Sequence, residues 1–303
     1  MRIVLEEQGL RDGLQTVQTP VPLEKKLEWI ARLTDAGIRR IQITSFVHPR
    51  LVPQMADAEQ IFQRLRAVPG VTYSALVLNQ KGVERAIAAG ARHLAISISA
   101  SETHSLKNTH MTLAEAKADF RENLKMARAN GIMVRAGIQC AFGCRYEGRI
   151  AQNHVLDLVK HHLDAGADEL ALADSTGMAN PRDLKALMLQ VRELAGPVPL
   201  ALHLHNTESK GLANVWAGIE AGVQQFDTAF GGLGGCPFIK GATGNIATED
   251  TAHMLHQMGF DTGIDITKVA AVSLDFETWT GQKLPGALSR IYQESALYSQ
   301  KIG

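Results

Sequence analysis

Short apolar runs, each followed by a longer amphipathic segment, recur from one end of this chain to the other, and that alternation restricts the fold more than any other feature. It implies repeated βα units and a parallel sheet, because parallel neighbours need a crossover long enough to hold a helix. The candidate strands are Arg2–Glu7, Ile41–Ser45, Val71–Val77, His93–Ser99, Met133–Cys140, Glu169–Asp174, Pro199–His205 and Gln225–Phe230. Helical patterns fill the spaces between and after them: Leu23–Ala36, Gln54–Arg66, Lys81–Ala89, Leu113–Asn130, Asn153–Ala165, Pro181–Leu194, Ser209–Ala221 and Thr248–Met258. Several end at a glycine (Gly37, Gly90, Gly131, Gly166, Gly222), where a left-handed cap is expected. Eight such units close naturally into a TIM (β/α)8 barrel. An open, doubly wound sheet is the competing arrangement, since periodicity does not show closure.

After Gly259 the alternation stops, and Ile264–Gln282 reads as one or two further helices with a tail. No Pro-, Gly- or Ser-rich linker interrupts the series, so residues 1–303 are read as one catalytic domain, with about 260–303 as a C-terminal helical extension. A length of 303 residues suits this, since a single barrel usually takes roughly 250. With Lys+Arg and Asp+Glu both at 31, the net charge offers no general attraction to nucleic acid or to an anionic membrane. No apolar run approaches the roughly 20 residues that span a bilayer, and the N-terminus reads as a strand rather than a secretion signal. Three cysteines, Cys140, Cys144 and Cys236, fit a reducing compartment better than a disulfide framework, so a cytoplasmic location is expected.

In such a barrel the chemistry gathers where strands end at the C-terminal face. After the first strand, GLRDGLQ places Arg11 and Asp12 at the mouth. A carboxylate there can hold a hard cation, and the guanidinium beside it can stabilise an oxyanion; the plainer reading is a surface turn tied by a salt bridge. The seventh strand ends in His203-Leu204-His205-Asn206. Residues two apart on a strand share a face, so both imidazoles project into the barrel, as metal ligands or as a hydrogen-bonded core pair. After the eighth strand comes GGLGGCPFIKGATGNIATED, where five glycines within Gly231–Gly241 imply a mobile loop carrying Cys236, followed by Asn245 and Glu249. Cys236 can move a proton or be a merely tolerated thiol. Asp174, at the end of the sixth strand, can orient a histidine or sit where Ser175 and Thr176 cap the next helix. Asp12, His203, His205 and Asn245 together offer two nitrogens and two oxygens, a set suited to Mg²⁺, Mn²⁺ or a similar ion with a position open for substrate.

These segments resemble 3-hydroxy-3-methylglutaryl-CoA lyase, a member of the DRE-TIM metallolyases. The likeness runs through RDGLQ, TSFVHPRLVPQMAD (Thr44–Asp57), CAFGCRYEG (Cys140–Gly148), HLHNT and the glycine-rich segment, in order along nearly the whole chain. It implies a divalent-metal-dependent lyase acting on a CoA thioester. Asp12, His203, His205 and Asn245 would be the metal ligands, and Arg11 would polarise the thioester carbonyl. Cys236 would be the loop thiol that protonates the departing enolate, with Glu249 assisting proton movement. The base at the substrate hydroxyl is assigned to His203 or Asp12.

Three positions depart from the family pattern: Gln42 where a glutamate is usual, Asn206 in place of an aspartate, and His48 in place of a small residue. None removes a ligand; they alter charge and shape around the acyl group, so Gln42 and His48 join Arg11 and Asp174 as candidate substrate contacts. His104, Lys107 and Asn108, read as a loop after the fourth strand, are candidates for the CoA phosphates, or are simply solvated. Cys140 and Cys144 are read as loop packing. Competing functions are a lyase for citramalyl-CoA or another 3-hydroxyacyl-CoA, a condensing synthase of the same superfamily, and a non-catalytic metal-binding subunit. A homodimer is compatible with the fold, with no interface residue to name.

Overall fold

The structure, a computed structural model, describes residues 1–235 and 243–291. Eight parallel strands close into a barrel in chain order: β1 (Val4–Glu7), β2 (Arg40–Ser45), β3 (Thr72–Val77), β4 (His93–Ser99), β5 (Met133–Gln139), β6 (Glu169–Asp174), β7 (Leu200–Leu204) and β8 (Gln225–Thr228). β8 pairs back onto β1 with Leu5 opposite Phe226 and Glu6 opposite Asp227, which excludes the open sheet. Around the strands lie α1 (Leu23–Asp35), α2 (Ala58–Arg64), α3 (Gln80–Ala88), α4 (Glu102–Thr109), α5 (Leu113–Ala129), α6 (Gln152–Ala165), α7 (Pro181–Ala195), α8 (Gly211–Glu220), α9 (Thr248–Gln257) and α10 (Ile266–Thr280).

The expected glycine caps all have left-handed backbones, with Gly37 at φ 93°. At Gly37 a second constraint applies: a Cβ there would collide with the Gly263 carbonyl oxygen, where the chain closes over the end of α1 on its way to α10. α10 then packs its Phe276 ring 5.6 Å from Trp29 of α1, and the Trp29 Nε1 donates to Asp275 at 2.6 Å.

Two segments differ from the sequence expectation. Gln54–Arg66 is not one helix: Pro53–Met55 forms a single 3-10 turn and α2 starts only at Ala58. Asp57 is spent on the buried Lys26 Nζ at 2.7 Å and does not cap the helix. The stretch after β4 is helix α4, not a loop; Ser101 caps it by accepting from the His104 N–H at 3.1 Å. Its polar sequence, ETHSLKNT, shows too little apolar periodicity to reveal it.

Inside the barrel a layer of charge replaces the usual branched aliphatic packing. Arg40 reaches Glu6 at 2.8 Å and Glu169 at 2.7 Å. Arg135 links Glu6 at 3.0 Å to Asp227 at 2.8 Å, so the layer runs up to the C-terminal mouth.

Candidate active site

The turn after β1 is a π-helical turn, Gly9–Gly13, in which the Gln8 carbonyl accepts from both Arg11 N (3.0 Å) and Gly13 N (3.2 Å). Such wide turns are rare and cluster at functional sites. This one turns Arg11 and Asp12 over the barrel mouth, joined by an Arg11 Nη1–Asp12 Oδ1 contact of 2.6 Å. Arg11 also donates from Nη2 to Gln8 Oε1 at 3.0 Å and from Nε to Gln42 Oε1.

On β7 the pleat does what the spacing predicts. His203 and His205 share the inward face, their Nε2 atoms 3.1 Å apart, and His205 Nε2 lies 3.9 Å from Asp12 Oδ2. The β7–β8 register sets His203 opposite Asp227, whose Oδ2 lies 3.1 Å from His203 Nδ1. A proton on Nδ1 given to that carboxylate leaves Nε2 as the lone-pair atom, the form a metal ligand needs. The chain returning from the glycine-rich segment is stitched between β7 and β8, with Ile246 N donating to Leu204 O (3.2 Å) and Ala229 N to Ile246 O (3.0 Å). That brings Asn245 to the cluster, where its Nδ2 donates to Asp12 Oδ2 at 2.9 Å.

Asp12, His203 and His205 thus offer ligand atoms that all lie within 4.8 Å of one another. Two observations fit them to a cation. Facing imidazole nitrogens at 3.1 Å need a shared proton or a metal between them, and Asn245 Oδ1 is buried with no partner beside Asp12. The electrostatics agree. Burial works to raise the pKa of Asp12, but Arg11, the two histidines and the Asn245 amide hold it well below the usual carboxylate range. Burial, reinforced by His203, pushes His205 down to about 4, so its ring is neutral at physiological pH. An ionised carboxylate and a neutral imidazole are the forms that bind metal.

Arg11, Asp12, Gln42, His48, His203 and His205 line one cavity of about 470 Å³. Asn108 lines it too, whereas Lys107 lies outside the lining, its Nζ 5.0 Å from the centre of the Tyr146 ring. His104 is buried, with Nδ1 3.1 Å from Ser99 Oγ. Asp174, opposite Leu204 in the ladder, accepts from Ala179 N at 3.1 Å, so the carboxylate orienting a histidine is Asp227 instead. Nor do Ser175 and Thr176 cap the next helix: Asn180 caps α7. Asn206 turns away and accepts from Gly211 N at 3.0 Å, at the start of α8. Glu249 is fully buried below the site, its oxygens on Gly231 N (2.9 Å) and Ser273 Oγ (2.7 Å). Burial pushes it up to about 6, and it braces the start of the glycine-rich segment against α10. Cys140 and Cys144 are buried free thiols, in keeping with packing. Cys236 lies outside the described residues.

Three residues that the sequence reading passed over complete the arrangement: Asp227, Arg135 and Gln8. For Asp227 and Arg135 the signal was present, since a charged side chain in the inward phase of a strand has to be paired.

The family model described as HMGL-like matches residues 2–275. Among curated relatives, the cytoplasmic 3-hydroxy-3-methylglutaryl-CoA lyase of Rattus norvegicus is 40% identical over 267 residues, covering 88% of this chain and 78% of its own. The mitochondrial hydroxymethylglutaryl-CoA lyase of Gallus gallus is 39% identical, with 88% and 90% covered. Among solved structures, an HMG-CoA lyase from Acinetobacter baumannii in complex with coenzyme A and 3-methylmalate superposes with a TM-score of 0.92 at 39% identity, covering 95% of this chain and 94% of that one. A hydroxymethylglutaryl-CoA lyase from Pseudomonas aeruginosa gives 0.93 at 33% identity, with 97% and 98% covered. With the barrel closed, a candidate ligand triad assembled at its mouth and this likeness running along most of the matched chains, the protein belongs to the HMGL-like family.

Proposed function

We propose that this protein is a divalent-cation-dependent lyase that breaks the carbon–carbon bond beside the 3-hydroxyl of 3-hydroxy-3-methylglutaryl-CoA, releasing acetyl-CoA and a keto acid. The observation that carries this reading is the meeting of Asp12, His203 and His205 beside Arg11 in one cavity. Asp12, His203, His205 and Asn245 would hold the ion, for which oxygen-rich, thiolate-free ligation favours Mg²⁺ or Mn²⁺. Bound there, the ion would act as a Lewis acid at the hydroxyl oxygen.

The chain's own groups account for the rest. As the hydroxyl proton leaves and C3–O becomes a carbonyl, the pair of the C2–C3 bond passes to C2 and onto the thioester oxygen. Arg11 stabilises the negative charge that develops on that oxygen. Of the two bases in the cluster His203 is favoured, because Asp227 behind Nδ1 would stabilise an imidazolium. Asp12 is kept a weak base by Arg11 and the histidines. That makes His203 the exchangeable member of the ligand set. Cys236, assigned from the sequence alone, delivers the proton to C2. Glu249 serves the reaction by bracing the backbone at Gly231. His48, Gln42 and Asn108 face the acyl-CoA from the cavity wall. The compartment proposed is the cytoplasm; no helix among the described residues is long and apolar enough to cross a membrane.

A second reading, cleavage of citramalyl-CoA to acetyl-CoA and a keto acid, rests on the neutral Gln42 on the cavity wall, which changes the charge around the acyl group. Purified protein with Mg²⁺ or Mn²⁺ and each thioester separates the two by which one yields acetyl-CoA; release from neither would reject both. His205→Ala should weaken Mn²⁺ binding by about 10-fold or more in calorimetry, and unchanged affinity would remove His205 from the ligand set.

A further inference from the structure

Gln8 is fully buried at the foot of the π-helical turn, and its Nε2 has no hydrogen-bond partner. A buried amide left half-satisfied calls for a physical reason. Its other end supplies one: Oε1 accepts from Arg11 Nη2 at 3.0 Å, while Gln42 Oε1 accepts from the neighbouring Arg11 Nε. Neither amide can be reversed, because an NH₂ group would then face the guanidinium N–H groups. Leucine or methionine at position 8 would avoid the orphaned donor but lose the grip. Glutamate would keep the grip but exchange the orphaned donor for an orphaned carboxylate oxygen, and would set a second carboxylate on a guanidinium already paired with Asp12.

We infer that Gln8, together with Gln42, is a positioning residue for Arg11: two neutral amide carbonyls aim the guanidinium into the cavity while leaving its charge for an anionic oxygen of the ligand. The kinetic consequence rests on the lyase reading; the binding consequence does not. Gln8→Glu preserves shape and the hydrogen bond to Arg11 while adding a negative charge. With 3-hydroxy-3-methylglutaryl-CoA and Mg²⁺ it should lower kcat by about 10-fold or more while KM stays within about threefold, because the oxyanion charge develops in the transition state. With Mn²⁺ bound, its affinity for oxalate, a planar dianion able to meet the ion and Arg11 together, should fall by about 10-fold in calorimetry.

If Gln8→Glu does not fold, Gln8→Met is read by the same two measurements with the same losses expected. Gln42→Met, on the cavity wall, carries the test should both fail. A folded variant with wild-type kcat and wild-type oxalate affinity overturns the inference. Absence of thioester cleavage by the unaltered protein would reject the lyase reading instead and leave the oxalate comparison to decide the role of Gln8.

Discussion

Asp227 shows how much of the site depends on a residue outside the ligand set. It accepts from the imidazole of His203, a proposed metal ligand, and is itself held by Arg135, so it fixes both the tautomer and the aim of that ring. Asp227→Asn keeps the shape but removes the charge, and an amide NH₂ presented to Nδ1 would favour the wrong tautomer. Mn²⁺ affinity should fall by about 10- to 100-fold, measured by calorimetry on folded protein; an unchanged dissociation constant would show that Asp227 does not set the ligand's orientation. The sequence made His203 and His205 legible because strand alternation is a local rule. It could not reveal Asp227 in the same way, because that role depends on the β7–β8 register, a long-range fact. Glu249 illustrates the converse. A motif match suggests that it assists proton movement, and the position it takes, with its carboxylate on the Gly231 N–H and the Ser273 hydroxyl, is set by the fold and not readable from the motif.

At the scale of elements, what the sequence showed well was punctuation. Apolar runs and Ala-Gly endings located all eight strands to within a few residues, since burial of both barrel faces demands continuous apolar strands and the turn back demands positive φ. What stayed hidden was α4, whose polar face pattern carries no periodic signal, and the π-helical turn at Gly9–Gly13, which owes its width to paired hydrogen bonds on one carbonyl. Two of the capping glycines separate conformation from contact. Gly90 has φ 83° and open space around its absent Cβ, so Gly90→Ala should cost only about 1 to 2 kcal/mol, the left-handed strain. Gly37 adds the collision with the Gly263 carbonyl, so Gly37→Ala should cost about 3 kcal/mol or more, since neither backbone can yield cheaply. Urea denaturation of the two variants compares them directly, and equal losses would mean that the chain leading to α10 does not lie against the end of α1.

For the molecule as a whole, the buried carboxylates divide into two groups whose effects on stability oppose each other with pH. Burial works against ionisation of Glu169, but His93, Arg40 and Arg135 together take it down to about 2 from an ordinary 4.5. Its folded form therefore binds fewer protons than the unfolded chain, and the stability it contributes is present above pH 4.5 and lost as pH falls towards 2. Glu7 is the reverse: burial, with a smaller push from Glu249, raises it to about 7 despite the bonds it accepts from Thr248, Gly9 and Phe230. The folded state then holds a proton that the unfolded chain has released, so the stability Glu7 contributes is complete below pH 4.5 and lost as pH rises through 7. Each shift corresponds to a contribution on the order of 3 kcal/mol across its window. Comparing unfolding free energies from pH 3 to 8 should therefore show that Glu169→Gln flattens the acid side of the stability curve, while Glu7→Gln flattens the decline between about pH 5 and 7. The two variants start from different offsets, because each also changes hydrogen bonds, but an offset does not depend on pH and the slopes do. Were both variants to track the wild type in parallel at every pH, neither carboxylate would be perturbed, and neither the charged layer around Glu169 nor the buried setting of Glu7 could hold as described.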